Sequence, residues 1–168
     1  MELIFPTAEH KEAALNYKQE YIECGETHIH GSGSFTKADD YENWLEKITW
    51  NKTQATPDLV TGDIYFAIID SKIIGTIAIR HYLNESLLKT GGHIGYGVRP
   101  SERRKGYGSK MLALALEKCR ELSIDKALVI CDKENIASAK TAISNGAVLE
   151  NEFTEESGNI VQRYWINL

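Results

Sequence analysis

Cysteine is scarce in this chain. The three present, Cys24, Cys119 and Cys131, form neither a pairable nor a metal-ligand spacing, which excludes a disulfide scaffold and a zinc framework and fits a reducing cytosol. Long apolar runs are missing too: none approaches the roughly 20 residues that a membrane-spanning helix needs. The start, Met1-Glu2-Leu3-Ile4-Phe5-Pro6, lacks the basic head and apolar stretch of a secretory signal, so a cytoplasmic protein is expected. Positive charge is in deficit, with 19 basic against 24 acidic residues and a net charge of −5, which argues against a general nucleic-acid binder. Repeats, linkers and low-complexity tracts are absent. What remains is a globular composition, 42% hydrophobic and 26% charged, in a 168-residue chain that suits one domain.

Hydrophobic periodicity divides the chain. Thr7 caps a predicted helix whose apolar positions Ala14, Tyr17, Tyr21 and Cys24 step by three and four, with Gly25 as the stop. A second helix starts at Asp39 or Asp40 and buries Tyr41, Trp44, Leu45 and Ile48. The loop between them runs from Glu26 to Ser34. Ile64–Ile69 and Ile73–Ile79, joined by Asp70-Ser71-Lys72, read as a β-hairpin. A polar stretch, 81–91, precedes a strand over Gly92–Val98, which Pro100 ends. Met111, Leu112, Ala115, Leu116, Cys119 and Leu122 then give a helix with one apolar face. A buried strand at Ala127–Cys131, a helix from Ala137 to Asn145 closed by Gly146, and strands near 148–153 and 160–166 complete one mixed α/β layer structure.

Charge is uneven along this order. Arg99, Arg103, Arg104, Lys105 and Lys110 stand against Glu102 alone. Removing these six leaves 14 basic against 23 acidic residues, a remainder of −9. The cluster surrounds Gly106 and Gly108, where backbone N–H groups at a helix start turn toward one point. The positive helix end and three adjacent cations suit a diphosphate better than a carboxylate. A Walker A string is absent, and Gly95-x-Gly97 meets Pro100 where the dinucleotide fingerprint needs its third glycine.

The run Val98-Arg99-Pro100-Ser101-Glu102-Arg103-Arg104-Lys105-Gly106-Tyr107-Gly108 resembles the acetyl-CoA signature of the GNAT family of acetyl-CoA-dependent acetyltransferases. Asn135-Ile136-Ala137-Ser138, before a helix ending at Gly146, is similar to the family's other cofactor-side motif. The resemblance is strong over residues 63–168 and rests on the two-helix arrangement alone over the first 60. It implies a single-domain GNAT-like α/β fold, a mixed central sheet flanked by helices, with the cofactor between two splayed parallel strands, Gly92–Val98 and Ala127–Cys131. Residues 1–60 would supply acceptor-side helices and loop, and 63–168 the acetyl-CoA-binding core. The pantetheine would pair with Tyr96, Gly97 and Val98. The pyrophosphate would sit on the turn Arg103, Arg104, Lys105, Gly106, Tyr107, Gly108 and Ser109, with Asn135 and Ser138 lining the thiol side. The implied partner is an amine acceptor, a small molecule or a peptide, with no nucleic acid, membrane or metal; a homodimer is compatible with the sequence.

Amine acetylation needs a neutral amine, since an unperturbed primary amine has a pKa of about 10. It also needs a donor for the developing oxyanion, for which the Val98 N–H is the choice. The family's usual glutamate base aligns with Gly92, and its usual tyrosine acid with Ala142. The remaining candidates are His93, Tyr96, Glu85, the His28/His30 pair and Tyr164. His93 leads them as base, because an ordinary imidazole pKa near 6.5 suits proton uptake at neutral pH. A non-catalytic acyl-CoA-binding module is the alternative reading.

Overall fold

The computed structural model describes all 168 residues. Its centre is one seven-stranded sheet in the order β1-β2-β3-β4-β5-β7-β6. The strands are β1 (Glu2–Ile4), β2 (Gly62–Ile69), β3 (Lys72–Arg80), β4 (Ile94–Val98), β5 (Lys126–Asp132), β6 (Val148–Thr154) and β7 (Ile160–Asn167). Every neighbouring pair is antiparallel except β4 and β5, which are parallel. The helices are α1 (Lys11–Glu23), α2 (Tyr41–Asn51), α3 (Tyr107–Glu121) and α4 (Ile136–Ser144). None is long and apolar enough to cross a membrane.

Helices cover both faces of the sheet, which explains why β3 reads as a nearly unbroken apolar run. Ile77 and Ile79 of β3, with Ile94 of β4, pack under Met111, Leu112 and Ala115 of α3 and Ala139 and Ala142 of α4. Ala78 faces the other way, with Ile64 and Phe66, into a core built on Tyr17, Tyr21, Phe35, Tyr41, Trp44 and Ile48. The β2–β3 turn takes left-handed values at both Asp70 and Ser71, which matches the right-handed twist of a two-residue hairpin.

Several expectations change. Leu122 lies beyond α3 and is exposed, as is Cys24 after α1, because each helix stops a residue before its apolar step ends. Leu45 is only half-buried. The predicted polar stretch contains a single wide turn at Leu87–Gly91. Strand β1, three residues at a sheet edge, carries too little periodicity to be found in the sequence.

The loop after α1 is fixed by the aromatic core. Trp44 Nε1 donates to the Ser32 carbonyl at 2.8 Å, and Ser32 Oγ donates to the Ile29 carbonyl at 2.7 Å. The loop then lies flat on β4. A Cβ at Gly31 would clash with the Gly95 oxygen, and one at Gly97 would meet the His30 oxygen at 2.8 Å. Thr76 Oγ1 donates to that same His30 oxygen at 3.0 Å.

Gly31→Ala should therefore cost about 2 kcal/mol, roughly 4–8 °C in Tm, since it combines a φ of +71° with a backbone clash. Gly25→Ala, at φ +75° with open space around it, should cost about half as much. Thermal unfolding of the two variants compares them directly.

Candidate functional site

Strands β4 and β5 touch at one end and part at the other. At the closed end the His93 N–H donates to the Leu128 carbonyl at 2.7 Å, and the Leu128 N–H donates to His93 Nδ1 at 3.0 Å. One ladder pair follows, Ile94 opposite Val129. Beyond it β4 stays paired with β3 as far as Val98 opposite Gly75, and β5 with β7 as far as Asp132 opposite Val161. Arg80 braces the vertex, its guanidinium donating to the Gly91 and Gly92 carbonyls at 3.0 Å each while its N–H donates to the His93 carbonyl.

The gap presents a backbone edge. The Arg80 N–H donates across the ladder to the His93 carbonyl and the Arg99 N–H to the Ile74 carbonyl, so bonds to β3 fall on His93 and Arg99 and, by alternation, on Gly95 and Gly97. Tyr96 and Val98 consequently turn their N–H and C=O groups toward β5. Neither N–H has an acceptor in the chain, whereas the Val98 carbonyl accepts from Tyr21 Oη at 2.8 Å and Arg103 Nε at 3.1 Å.

His93 is not available as a base. It is 7% exposed, and its Nδ1 lone pair is taken by the Leu128 N–H, which assigns the remaining proton to Nε2. Burial first, and then the Arg80 charge, push its pKa down to about 4. Its ring packs edge-on to Trp165 with centroids 6.3 Å apart. An expectation built on an ordinary imidazole pKa overlooked the desolvation at the vertex. Tyr164 is also a packing residue, 3% exposed, its hydroxyl donating to Gln162 Oε1. Glu85 is exposed and makes no side-chain bond.

The turn after β4 has the backbone an anion needs. Arg104 and Gly106 adopt positive φ, 63° and 78°. No N–H from Arg104 to Ser109 has an acceptor in the chain; the first helical bond runs from the Lys110 N–H to Gly106. The side chains differ from expectation, because most of the local positive charge is neutralised from within. Arg99 pairs with Glu20 at 3.2 Å. Arg103 forms a two-pronged bond to Glu26 at 2.6 and 2.8 Å, which holds the Glu26 carboxyl below its ordinary pKa. Lys105 and Lys72 both engage Glu102. Arg104 and Lys110 alone keep no carboxylate partner in this cluster. Arg103 and Lys105 thus shape the turn through their acids rather than standing free for a ligand.

Several of the expected contacts have local duties as well. The Ser109 hydroxyl bonds to Ser144 Oγ at 2.9 Å and accepts from Asn145, joining α3 to α4. Gly108 sits where α3 meets α4 and β4, and a Cβ there would make ordinary contact with Thr141 at 3.5 Å and Val98 at 3.6 Å. Asn135 caps α4 by accepting the Ser138 N–H at 3.0 Å. Ser138 Oγ in turn meets the Tyr96 hydroxyl at 3.0 Å, and burial raises the pKa of that phenol, so it keeps its proton. Tyr107 stacks under Lys110, whose Nζ is 5.9 Å from the ring centre. The sequence reading missed two parts: the Arg80 clamp, one residue past the strand it recognised, and the Tyr21 hydroxyl, which helical spacing marks only as core.

A family model described as an acetyltransferase (GNAT) domain matches residues 3–148. No curated protein matches the chain in sequence. Among solved structures, the ribosomal L7/L12 alpha-N-protein acetyltransferase RimL, in complex with coenzyme A, is similar with a TM-score of 0.71 and 16% identity, over 99% of this chain and 93% of that one. The acetyltransferase yncA from Salmonella typhimurium, with acetyl-CoA, gives 0.68 and 15% over 99% and 93%. A ribosomal-protein-alanine N-acetyltransferase from Brucella melitensis gives 0.67 and 14% over the whole of both chains. At these identities the likeness is one of fold.

The vertex carries a pH signature. An unfolded His93 titrates near 6.5, the folded one near 4. The unfolded chain therefore takes the proton first, and the histidine's contribution is complete above about pH 6.5 and lost as pH falls from there toward 4. His93→Ala should cost about 1–3 kcal/mol at neutral pH by orphaning the Leu128 N–H. His93→Gln, whose amide oxygen can accept that bond, should recover part of the loss and flatten the stability profile over this window. Urea unfolding at a series of pH values reads both effects.

Proposed function

The chain belongs to the GNAT acetyltransferase family, and on that premise we propose that it moves an acetyl group from acetyl-CoA to a primary amine of a small molecule or peptide by direct attack. The observation that carries this reading is the gap between β4 and β5, which opens toward a turn whose N–H groups from Arg104 to Ser109 have no acceptor of their own. Acetyl-CoA brings the activated acyl group as a thioester; the rest is work for the chain's own residues.

In this reading the turn and Arg104 hold the diphosphate at the start of α3. The free edge of Tyr96 and Val98 pairs with the pantetheine as an added strand would, with Gly97 between them leaving room. Asn135 and Ser138 border the same passage. The Val98 N–H, fixed in direction by the β3 ladder, donates to the carbonyl oxygen as charge develops there, at no reorganisation cost during the reaction. The Tyr96 hydroxyl reaches α4 from the strand side and stands in for the tyrosine absent at Ala142. Raised above its ordinary pKa by burial, it is protonated at neutral pH and suited to give a proton to the leaving thiolate. Residues 1–60 form the acceptor side and 63–168 the acetyl-CoA side, and three free thiols suit a cytoplasmic setting.

Arg104 provides the first test. Saturating acetyl-CoA should raise the Tm by mass action on the native state. Arg104→Ala should weaken acetyl-CoA binding about tenfold by calorimetry, through loss of one charge-assisted contact. Lys105→Ala should weaken it less, because that charge is already spent on Glu102. An unchanged wild-type Tm would defeat the proposal. Tyr96→Phe should leave acetyl-CoA affinity near wild type and lower kcat for CoA release by roughly 10²-fold.

A further inference from the structure

With His93 sealed into the vertex and Gly92 carrying no side chain, the proton of the attacking amine needs another acceptor on the open side of the strands. We propose that His30 is the general base of the acetyl transfer, an inference that rests on the function proposed above.

Position is the first argument. The peptide of His30 lies in contact with Gly97, whose absent Cβ would be 2.8 Å from the His30 oxygen and 3.3 Å from its nitrogen. The Thr76 hydroxyl holds the same oxygen from β3. Gly97 lies between Tyr96 and Val98, whose unpartnered N–H groups mark the reactive edge. His30 is thereby anchored within one residue of that edge. It lies on the face opposite α3 and α4, which leaves those helices to the thioester and this side to the amine.

Surroundings are the second argument. The His28 and His30 rings meet edge to face, 4.5 Å apart at 80°, and both side chains are exposed to solvent. A proton taken up here has a direct exit to water, which the vertex does not offer. The groups facing His30 come from each neighbouring element: Glu26 and His28 from its own loop, Arg103 from the turn after β4, and Asp132 from the end of β5. Tyr21 of α1 also lies beside Gly97, with its hydroxyl turned to the Val98 carbonyl. Partial burial, helped by His28 and Arg103, outweighs the two carboxylates and holds the imidazole below its ordinary pKa. Neutral at physiological pH, it has a lone pair to use.

The step balances. His30 takes one proton from the attacking nitrogen as that nitrogen bonds to the carbonyl carbon. The carbon–sulfur bond then breaks, and the sulfur leaves with the electron pair and receives a proton from Tyr96. Tyr96 recovers its proton from solvent, to which His30 releases the one it took, so the products are amide and CoA thiol.

The experiment measures CoA release by the intact chain from about pH 5 to 9, with spermidine, L-lysine, an aminoglycoside and a peptide with a free N-terminal alanine as acceptors. His30→Gln should lower kcat about 10²-fold or more and remove the acidic limb of the profile, with circular dichroism and acetyl-CoA affinity as in wild type. His28→Gln should retain the limb. A His30→Gln enzyme with full kcat overturns the inference, whether or not its KM rises, since a raised KM alone would make His30 a binding contact. A wild-type chain that binds acetyl-CoA yet releases no CoA with any acceptor defeats the transfer reading, and this inference with it. An active wild type with an equally active His30→Gln defeats this inference alone.

Discussion

Two hydrogen bonds between His93 and Leu128 join β4 to β5, and the gap beyond them exists because only one ladder pair follows. Parallel strands in a continuous sheet would satisfy each other's backbone groups along their whole length. Here each strand is held from its outer side, β4 by β3 and β5 by β7, and those partners draw them apart. The N–H groups of Tyr96 and Val98 are left unpaired on the inner edge of β4. Such groups are costly to bury and cheap to leave at a solvated cleft. The Arg80 clamp on Gly91 and Gly92 keeps the vertex from unzipping further.

The electrostatics around the turn are more economical than the density of basic residues suggests. Each of Arg99, Arg103 and Lys105 is matched by an acid, two of these from the first 26 residues of the chain. Of these only Arg103–Glu26 is exposed on both sides, and it contributes little stability; Arg99 and Glu102 are buried in theirs. The pairs' shared effect is geometric: they fix the path of the chain from Val98 to Gly106 and leave Arg104 and Lys110 without acids. The Arg103–Glu26 pair also ties this turn to the loop that carries His28 and His30, so the two halves of the cleft share a support.

Much of this was legible in the sequence, for identifiable reasons. The splayed pair was implied by the family resemblance that Val98–Gly108 and Asn135–Ser138 carry, and the cores were readable because Ile77, Met111 and Trp44 sit at regular spacings. His93 was misread because pKa depends on three-dimensional company; nothing local to Gly92-His93-Ile94 reveals Arg80 or the Leu128 N–H. The neutralisation of Arg99 and Arg103 was hidden for the same reason, since Glu20 and Glu26 lie more than seventy positions away along the chain. Strand β1 was missed for want of length, three residues being too few to establish a period.

The contact of Gly31 with Gly95, and of His30 with Gly97, bears on how such a fold can diverge. A loop that rests backbone on backbone cannot slide or change register without a clash, and the Trp44–Ser32 bond fixes its far end. Insertions between Gly31 and Trp44 would dislodge the whole segment. Substitutions at Thr27 and His28 would alter only what projects from a track of constant course. Selection for a new acceptor would then proceed through side-chain replacement on an unchanging main chain, with Gly31 and Gly97 as the positions it could not change.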